Sequence, residues 1–182
     1  MTAAAGAVVD GLADSGVTAT LKHFPGLGRV EGNTDTDVGV TDTVTTAGDE
    51  QVAAFETLAG SPAHPFVMVS SATYPQIDST GPATFSRAVL TDLLRDRLGF
   101  DGVAVTDDVG NAEAFQGVAP GDRAVRFLEA GGTVVLTVDA GIVREMDDAV
   151  LERSAADPAF AAVVEAAVTT AMRAKARAGL LG

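Results

Sequence analysis

No cysteine occurs among the 182 residues. That absence excludes a disulfide framework, thiolate metal sites and thiol catalysis together, while leaving the cellular compartment open. Basic residues are scarce: 12 Lys and Arg stand against 25 Asp and Glu, for a net charge of −13. Such a surface repels phosphate backbones and anionic headgroups, so nucleic acid is not an expected partner. No apolar run approaches the roughly 18 residues that would cross a bilayer, so no membrane-spanning segment is expected. The opening MTAAAGAVVDGLADSG is apolar but has no early Lys or Arg and carries Asp10 and Asp14, so it is not read as a secretory signal. Histidine occurs only as His23 and His64, far apart in the chain. Gly26-Leu27-Gly28 is followed by no Lys-Ser/Thr pair and lacks the third glycine of a dinucleotide fingerprint, and the aspartates do not form a calcium loop. No metal and no cofactor are therefore expected.

What is present is the composition of an ordinary globular domain, 47% hydrophobic and 20% charged. Residues 1–182 are read as a single domain. Four β-branched runs, Val17 to Leu21, Phe66 to Ser70, Gly102 to Thr106 and Thr133 to Val138, are bounded by glycine, proline or polar residues and read as strands. They are almost continuously apolar, as a parallel sheet covered on both faces requires. Helical patterns lie between them: Ala3 to Leu12 stopped by Gly16, Asp49 to Leu58, a segment opened by Ser86 that carries Val89, Leu90, Leu93 and Leu94, and Arg123 to Ala130 stopped by Gly131-Gly132. Val143 to Arg153 and Pro158 to Ala178 follow the last strand, with Asp157 as N-cap and Pro158 at the first helical position. The Thr-rich stretch Thr41 to Thr46 reads as a solvated loop. The alternation is α/β, either a small open sheet or half of a (β/α)₈ barrel, because a full barrel takes about 250 residues.

Function in such folds collects at the carboxyl ends of the strands. Lys22-His23-Phe24-Pro25-Gly26 follows the first strand, Ser70-Ser71 the second, Asp107-Asp108 the third, and the fourth ends at Asp139. A cation and an imidazole at one strand end can hold sugar hydroxyls or a carboxylate, and an aspartate on a neighbouring strand can serve as nucleophile or base. Two other readings stay open: Asp107 and Asp108 as loop or helix caps, and Lys22 and His23 as a surface pair at a strand exit.

Lys22-His23-Phe24-Pro25-Gly26, Pro82-Ala83-Thr84-Phe85-Ser86, the stretch from Leu94 to Val103 and Thr106-Asp107-Asp108 together resemble glycoside hydrolase family 3, most closely its bacterial β-N-acetylglucosaminidase branch. The resemblance implies a (β/α)₈-barrel catalytic domain and a retaining mechanism, with Asp107 as nucleophile and Lys22 and His23 hydrogen-bonding the sugar. Lys22 would favour the ionised form of Asp107. Asp108 would support the site or cap the next helix. Two departures accompany it. The branch places an aspartate-oriented histidine, its general acid/base, in the loop after Lys-His-Phe-Pro-Gly. Here an ungapped alignment puts Asn33 and Asp35 at those two positions, and a two-residue insertion puts Asp35 and Asp37 there. Asp35 and Asp37 are thus the candidate acid/base residues, a role that needs a buried setting, against the plainer reading of loop aspartates making Asx-turns. His64 lies before the second strand, on the far side of the sheet. Second, the Lys-His-Phe-Pro-Gly motif follows the fifth barrel strand in the family, so this chain corresponds to strands five to eight. A half barrel exposes two sheet edges, which predicts pairing with a copy of itself or with a complementing amino-terminal half. The functional expectation is a glycosidase acting on a carbohydrate substrate, with a non-catalytic carbohydrate-binding or interaction relic as the alternative.

Overall fold

A computed structural model describes residues 2–181. Helix α1 (Thr2–Asp14) leads into strand β1 (Thr20–Phe24), and α2 (Glu50–Ala59) returns the chain to β2 (Phe66–Val69). A two-stranded antiparallel hairpin follows, β3 (Thr73–Tyr74) and β4 (Asp78–Pro82), and then α3 (Ala88–Arg97, wound as a π-helix), β5 (Ala104–Asp108), α4 (Pro120–Glu129), β6 (Val134–Leu136), α5 (Val143–Ala156) and α6 (Pro158–Arg177). The main sheet has the order β1-β2-β5-β6 with every neighbouring pair parallel, each pair bridged by a helical crossover. This is the expected α/β architecture of four parallel strands with flanking helices.

Strand positions differ from the reading of sequence in an instructive way. Val17 is exposed and its amide closes α1 onto Leu12, so Val17-Thr18-Ala19 serves largely as a connection and β1 is moved toward Lys22 and His23. β5 likewise starts two residues late and carries Asp107 and Asp108 as its own last residues. The central strand β5 presents Ala104, Val105 and Thr106 buried, whereas the outer strand β6 leaves Val134 exposed. Thr41 to Thr46 is not simply solvated. Asp42 is 1% exposed, and its carboxylate accepts the Val44 and Thr45 amides at 2.9 and 2.8 Å and the Thr45 hydroxyl at 2.6 Å, while Gln51 of α2 donates to Thr45.

The core lies between sheet and helices, where Phe24, Val67, Val69, Leu90, Leu94 and Phe127 are fully buried, each a side chain whose burial stabilises by about 1.5–3 kcal/mol. Ser86 opens α3 as expected, its hydroxyl accepting the Val89 amide at 3.2 Å and donating to Asp78. Arg95 of α3 explains the Leu94-to-Val103 motif physically. Its guanidinium donates to the carbonyls of Phe100 (3.0 Å), Gly102 (2.6 Å) and Gly131 (3.1 Å) and to the Thr133 hydroxyl (2.9 Å), tying the entry of β5 to that of β6. Burial pushes this guanidinium's pKa down from its ordinary value. α4 begins at Pro120 rather than Arg123, with proline in its first turn. The chain leaves it through Gly131, whose φ of 107° suits glycine, and a Cβ on Gly132 would enter the ring of Phe127. Asp157 caps α6 by accepting the amide of Ala159 at 2.9 Å.

Candidate active site at the carboxyl ends of the strands

β1 and β5 flank β2 in the sheet, and their carboxyl ends bring His23 and Asp107 together. His23 Nε2 lies 3.2 Å from Asp107 Oδ2, and each side chain is 21% exposed, open enough to meet a ligand and sheltered enough to be held. Asp107 Oδ1 accepts the amide of Asp108 at 2.9 Å. The carboxyl of Asp107 is held below its ordinary range: the His23 hydrogen bond is the largest cause, partial burial opposes it, and the Asp108 amide and the charges of His23 and Lys22 add to it. Sequence pointed to Lys22 as the group that keeps this carboxylate ionised. In the structure Lys22 is exposed and acts only through its field, and the direct partner is His23.

Asp108 faces away from this pair. Its Oδ1 accepts the amides of Gly110 at 2.9 Å and Val138 at 3.0 Å, and Oδ2 that of Asn111 at 3.2 Å. Asp35 and Asp37 are both exposed on the loop after β1, and neither is brought into hydrogen-bonding contact with His23 or Asp107 among the described residues. Asp37 Oδ2 accepts the Asn33 amide at 2.9 Å, and the Asn33 side chain accepts the Asp35 amide at 2.9 Å, an Asx-turn in which Asn33 is the acceptor. The Asp35 carbonyl accepts the Glu113 amide at 3.2 Å, so this loop rests on the loop that follows Asp107. His64 sits at the opposite, amino-terminal end of the sheet, lining a cavity with Val17, Asp101 and Arg173.

The rim is braced by residues that no motif marks. Tyr74 is buried, and its hydroxyl donates to the Gly26 carbonyl at 3.1 Å and lies 2.9 Å from Ser70 Oγ, fastening the loop after β1 to the end of β2. Burial pushes the Tyr74 phenol up to about 12. Thr84, also buried, donates to the Ser70 carbonyl at 2.9 Å, which is what Pro82-Ala83-Thr84-Phe85-Ser86 does for the site: it straps a short turn across the end of β2. Ser71 Oγ beside them is buried with no hydrogen-bond partner among the described residues. Among the described residues no group of three or more His, Asp or Glu side chains is arranged to hold a metal ion. No helix among the described residues is long and apolar enough to cross a membrane.

The model of the glycosyl hydrolase family 3 N-terminal domain matches residues 1–174. The chain belongs to glycosyl hydrolase family 3. Among solved structures of the family, the β-N-acetylhexosaminidase of Beutenbergia cavernae is 51% identical, with a TM-score of 0.89 over 94% of this chain and 51% of its own. The β-hexosaminidase of Bordetella avium is 37% identical over 158 residues, 84% of this chain and 42% of its own length. That of Xanthomonas axonopodis pv. citri is 36% identical over 158 residues, covering 81% and 44%. The chain thus spans about half the length of the family 3 relatives it matches, and its four strands are part of the TIM-barrel domain those relatives carry.

Proposed function

We propose that this chain carries the nucleophile-bearing half of a retaining glycosidase site for β-linked N-acetylhexosaminides. The observation that supports this most is the pairing of Asp107 with His23 at 3.2 Å on an open rim. A retaining glycosidase needs a carboxylate that is ionised and aimed at the anomeric carbon. The rigid end of β5 supplies the aim, and the His23 contact supplies the ionisation. In the first step an Asp107 oxygen forms a bond to the anomeric carbon while the glycosidic carbon–oxygen bond breaks and its electron pair leaves with the aglycone oxygen. Water then releases the sugar from the ester. Lys22 and His23 hold the sugar's hydroxyls, and Asp108 steadies the loop behind the nucleophile. Asp35 or Asp37 is the source of the proton for the departing oxygen, through movement of the exposed loop that carries both. The relatives named as β-hexosaminidases support the substrate class.

An activated aryl N-acetylglucosaminide needs little protonation of its leaving group, so it isolates the nucleophile's step. Mixing it with the chain is expected to release a burst of phenol of about one equivalent, lost in Asp107→Asn. A folded protein that gives no burst favours the non-catalytic, carbohydrate-binding alternative.

We further assign residues 1–182 to the fifth through eighth strands of the barrel. β1 and β6 are the outer strands of the sheet, and Val138, just past the end of β6, is 69% exposed. Exposed edges and apolar side chains of this kind are ordinarily covered. We propose that full activity draws on strands of the family's amino-terminal half packed against these edges. Adding the amino-terminal half of the Beutenbergia cavernae enzyme is expected to give a one-to-one complex in light scattering and turnover beyond the burst. A monodisperse, cooperatively melting monomer that turns over fully on its own would refute this.

A further inference from the structure

Arg123 is 4% exposed, and no carboxylate among the described residues lies within ion-pairing distance of it. Its guanidinium is spent on main-chain carbonyls: Nε donates to Val118 at 2.7 Å, and Nη1 donates to Val109 at 2.5 Å and to Gly110 at 3.3 Å. Burial pushes its pKa down and the more distant charges of Glu145 and Asp108 only partly offset that, so the cation sits at a cost that an apolar side chain of similar length would avoid.

Val109 and Gly110 are the second and third residues beyond Asp107. Asp108 holds the amides of the same turn, those of Gly110 and Asn111, and binds the Val138 amide past the end of β6. An anion and a cation thus grip the two kinds of polar group on one turn, the amides and the carbonyls. The Val109 amide donates to the Leu136 carbonyl at 3.0 Å, and the close approach of Thr137 and Asp139 leaves no room for a side chain at Gly110. The turn is pinned on every side. The residue that leads into this turn, Asp108, gives its amide to Asp107 Oδ1 while Oδ2 lies on His23, so the anchorage of the turn bears directly on the Asp107 carboxylate.

We propose that Arg123 is a positioning residue for Asp107, acting from α4 through the Val109–Gly110 turn with Asp108 as its counterpart. The importance of Asp107 to a reaction rests on the glycosidase reading above, but the geometric coupling does not, and the test separates the two. Carbon-detected NMR of the Asp107 carboxyl, assigned by its loss in Asp107→Asn, follows its titration in the full chain. His23→Gln gives the midpoint expected when the direct partner is removed. In Arg123→Met the midpoint is expected to rise more than halfway toward that of His23→Gln, and Arg123→Lys is expected to restore part of the difference. A merely structural role would lower thermal stability and leave this titration unmoved. If Arg123→Met does not fold, Arg123→Gln, which keeps a neutral donor but loses the charged fork, provides the same reading, with a rise in the same direction. Wild-type titration of Asp107 in a folded Arg123→Met, or in a folded Arg123→Gln in its place, overturns the proposal. Failure of the phenol burst would count against the glycosidase reading and leave this measurement standing.

Discussion

Replacing Arg95 by methionine is the most informative test of how the scaffold behind the site is built. Met keeps the aliphatic stem against Phe100, over whose ring the guanidinium carbon sits at 5.2 Å, and removes only the charged head. The carbonyls of Phe100, Gly102 and Gly131 then lose their charged donor at once. A hydrogen bond to a charged group contributes about 1.5–3 kcal/mol, so three would suggest about 4–9 kcal/mol. Arg95 is only partly buried, and water can reach some of what it leaves, which reduces the expectation to about 3–4 kcal/mol. At about 2–4 °C per kcal/mol for a chain of this size, the melting temperature should fall by about 10 °C. Urea unfolding followed by far-ultraviolet circular dichroism should show the midpoint lowered with the slope unchanged. Arg95→Lys should recover less than half of the loss, because one ammonium cannot serve three carbonyls in the fork geometry of a guanidinium. A loss below about 1 kcal/mol in Arg95→Met would mean that these carbonyls are satisfied by solvent, and the scaffolding account of the Leu94-to-Val103 motif would fail.

Asp42→Ala should cost about 2–3 kcal/mol at neutral pH, since it strands the buried Thr45 hydroxyl and two amides. Burial raises the Asp42 pKa, but the Thr45 hydroxyl, the Thr45 and Val44 amides and the Arg29 charge outweigh it, and the net direction is downward. A depressed folded-state pKa stabilises fully above the unfolded value of about 3.9 and ceases to do so as pH falls through the folded value. The difference between wild type and Asp42→Ala in urea midpoint should accordingly narrow below about pH 4, and a gap that widens there would contradict the assignment. Phe127→Ala should cost about 3–5 kcal/mol by opening a core cavity. Gly132→Ala should also destabilise, because its Cβ would meet the Phe127 ring. The double variant should therefore cost less than the sum of the two, and strict additivity would show that the two sites do not share that space.

Much of this was legible in the chain itself, and the parts that were not have specific physical reasons. Each main strand and helix was visible because its apolar residues repeat over a full element, and Asp157-Pro158 marks a helix start by capping chemistry alone. Lys22, His23 and Asp107 stood out because strand ends concentrate polar groups in a parallel fold. That Asp107 emerges beside Lys22 and His23 at one rim follows from the strand ends, but that His23 rather than Lys22 is its direct partner was not legible, since it depends on β1 and β5 flanking β2 and on the displacement of both strands toward their polar ends. The hairpin of β3 and β4 escaped notice because two paired residues and a strand ending in Pro82 carry no periodic pattern. The burial of Asp42 and Thr45 was hidden for another reason: short polar side chains that satisfy one another look, in sequence, like those that face water.

The Tyr74 hydroxyl, wedged between the strand ends, has a practical consequence. The chain has one tyrosine and no tryptophan, so its near-ultraviolet absorbance and intrinsic emission come almost wholly from a phenol that spans two loops of the rim. The protein therefore carries its own optical probe beside the candidate site. Any loosening of the Gly26 segment against Ser70 should register as a change in tyrosine emission, and in alkali the phenolate band should appear only once those loops part.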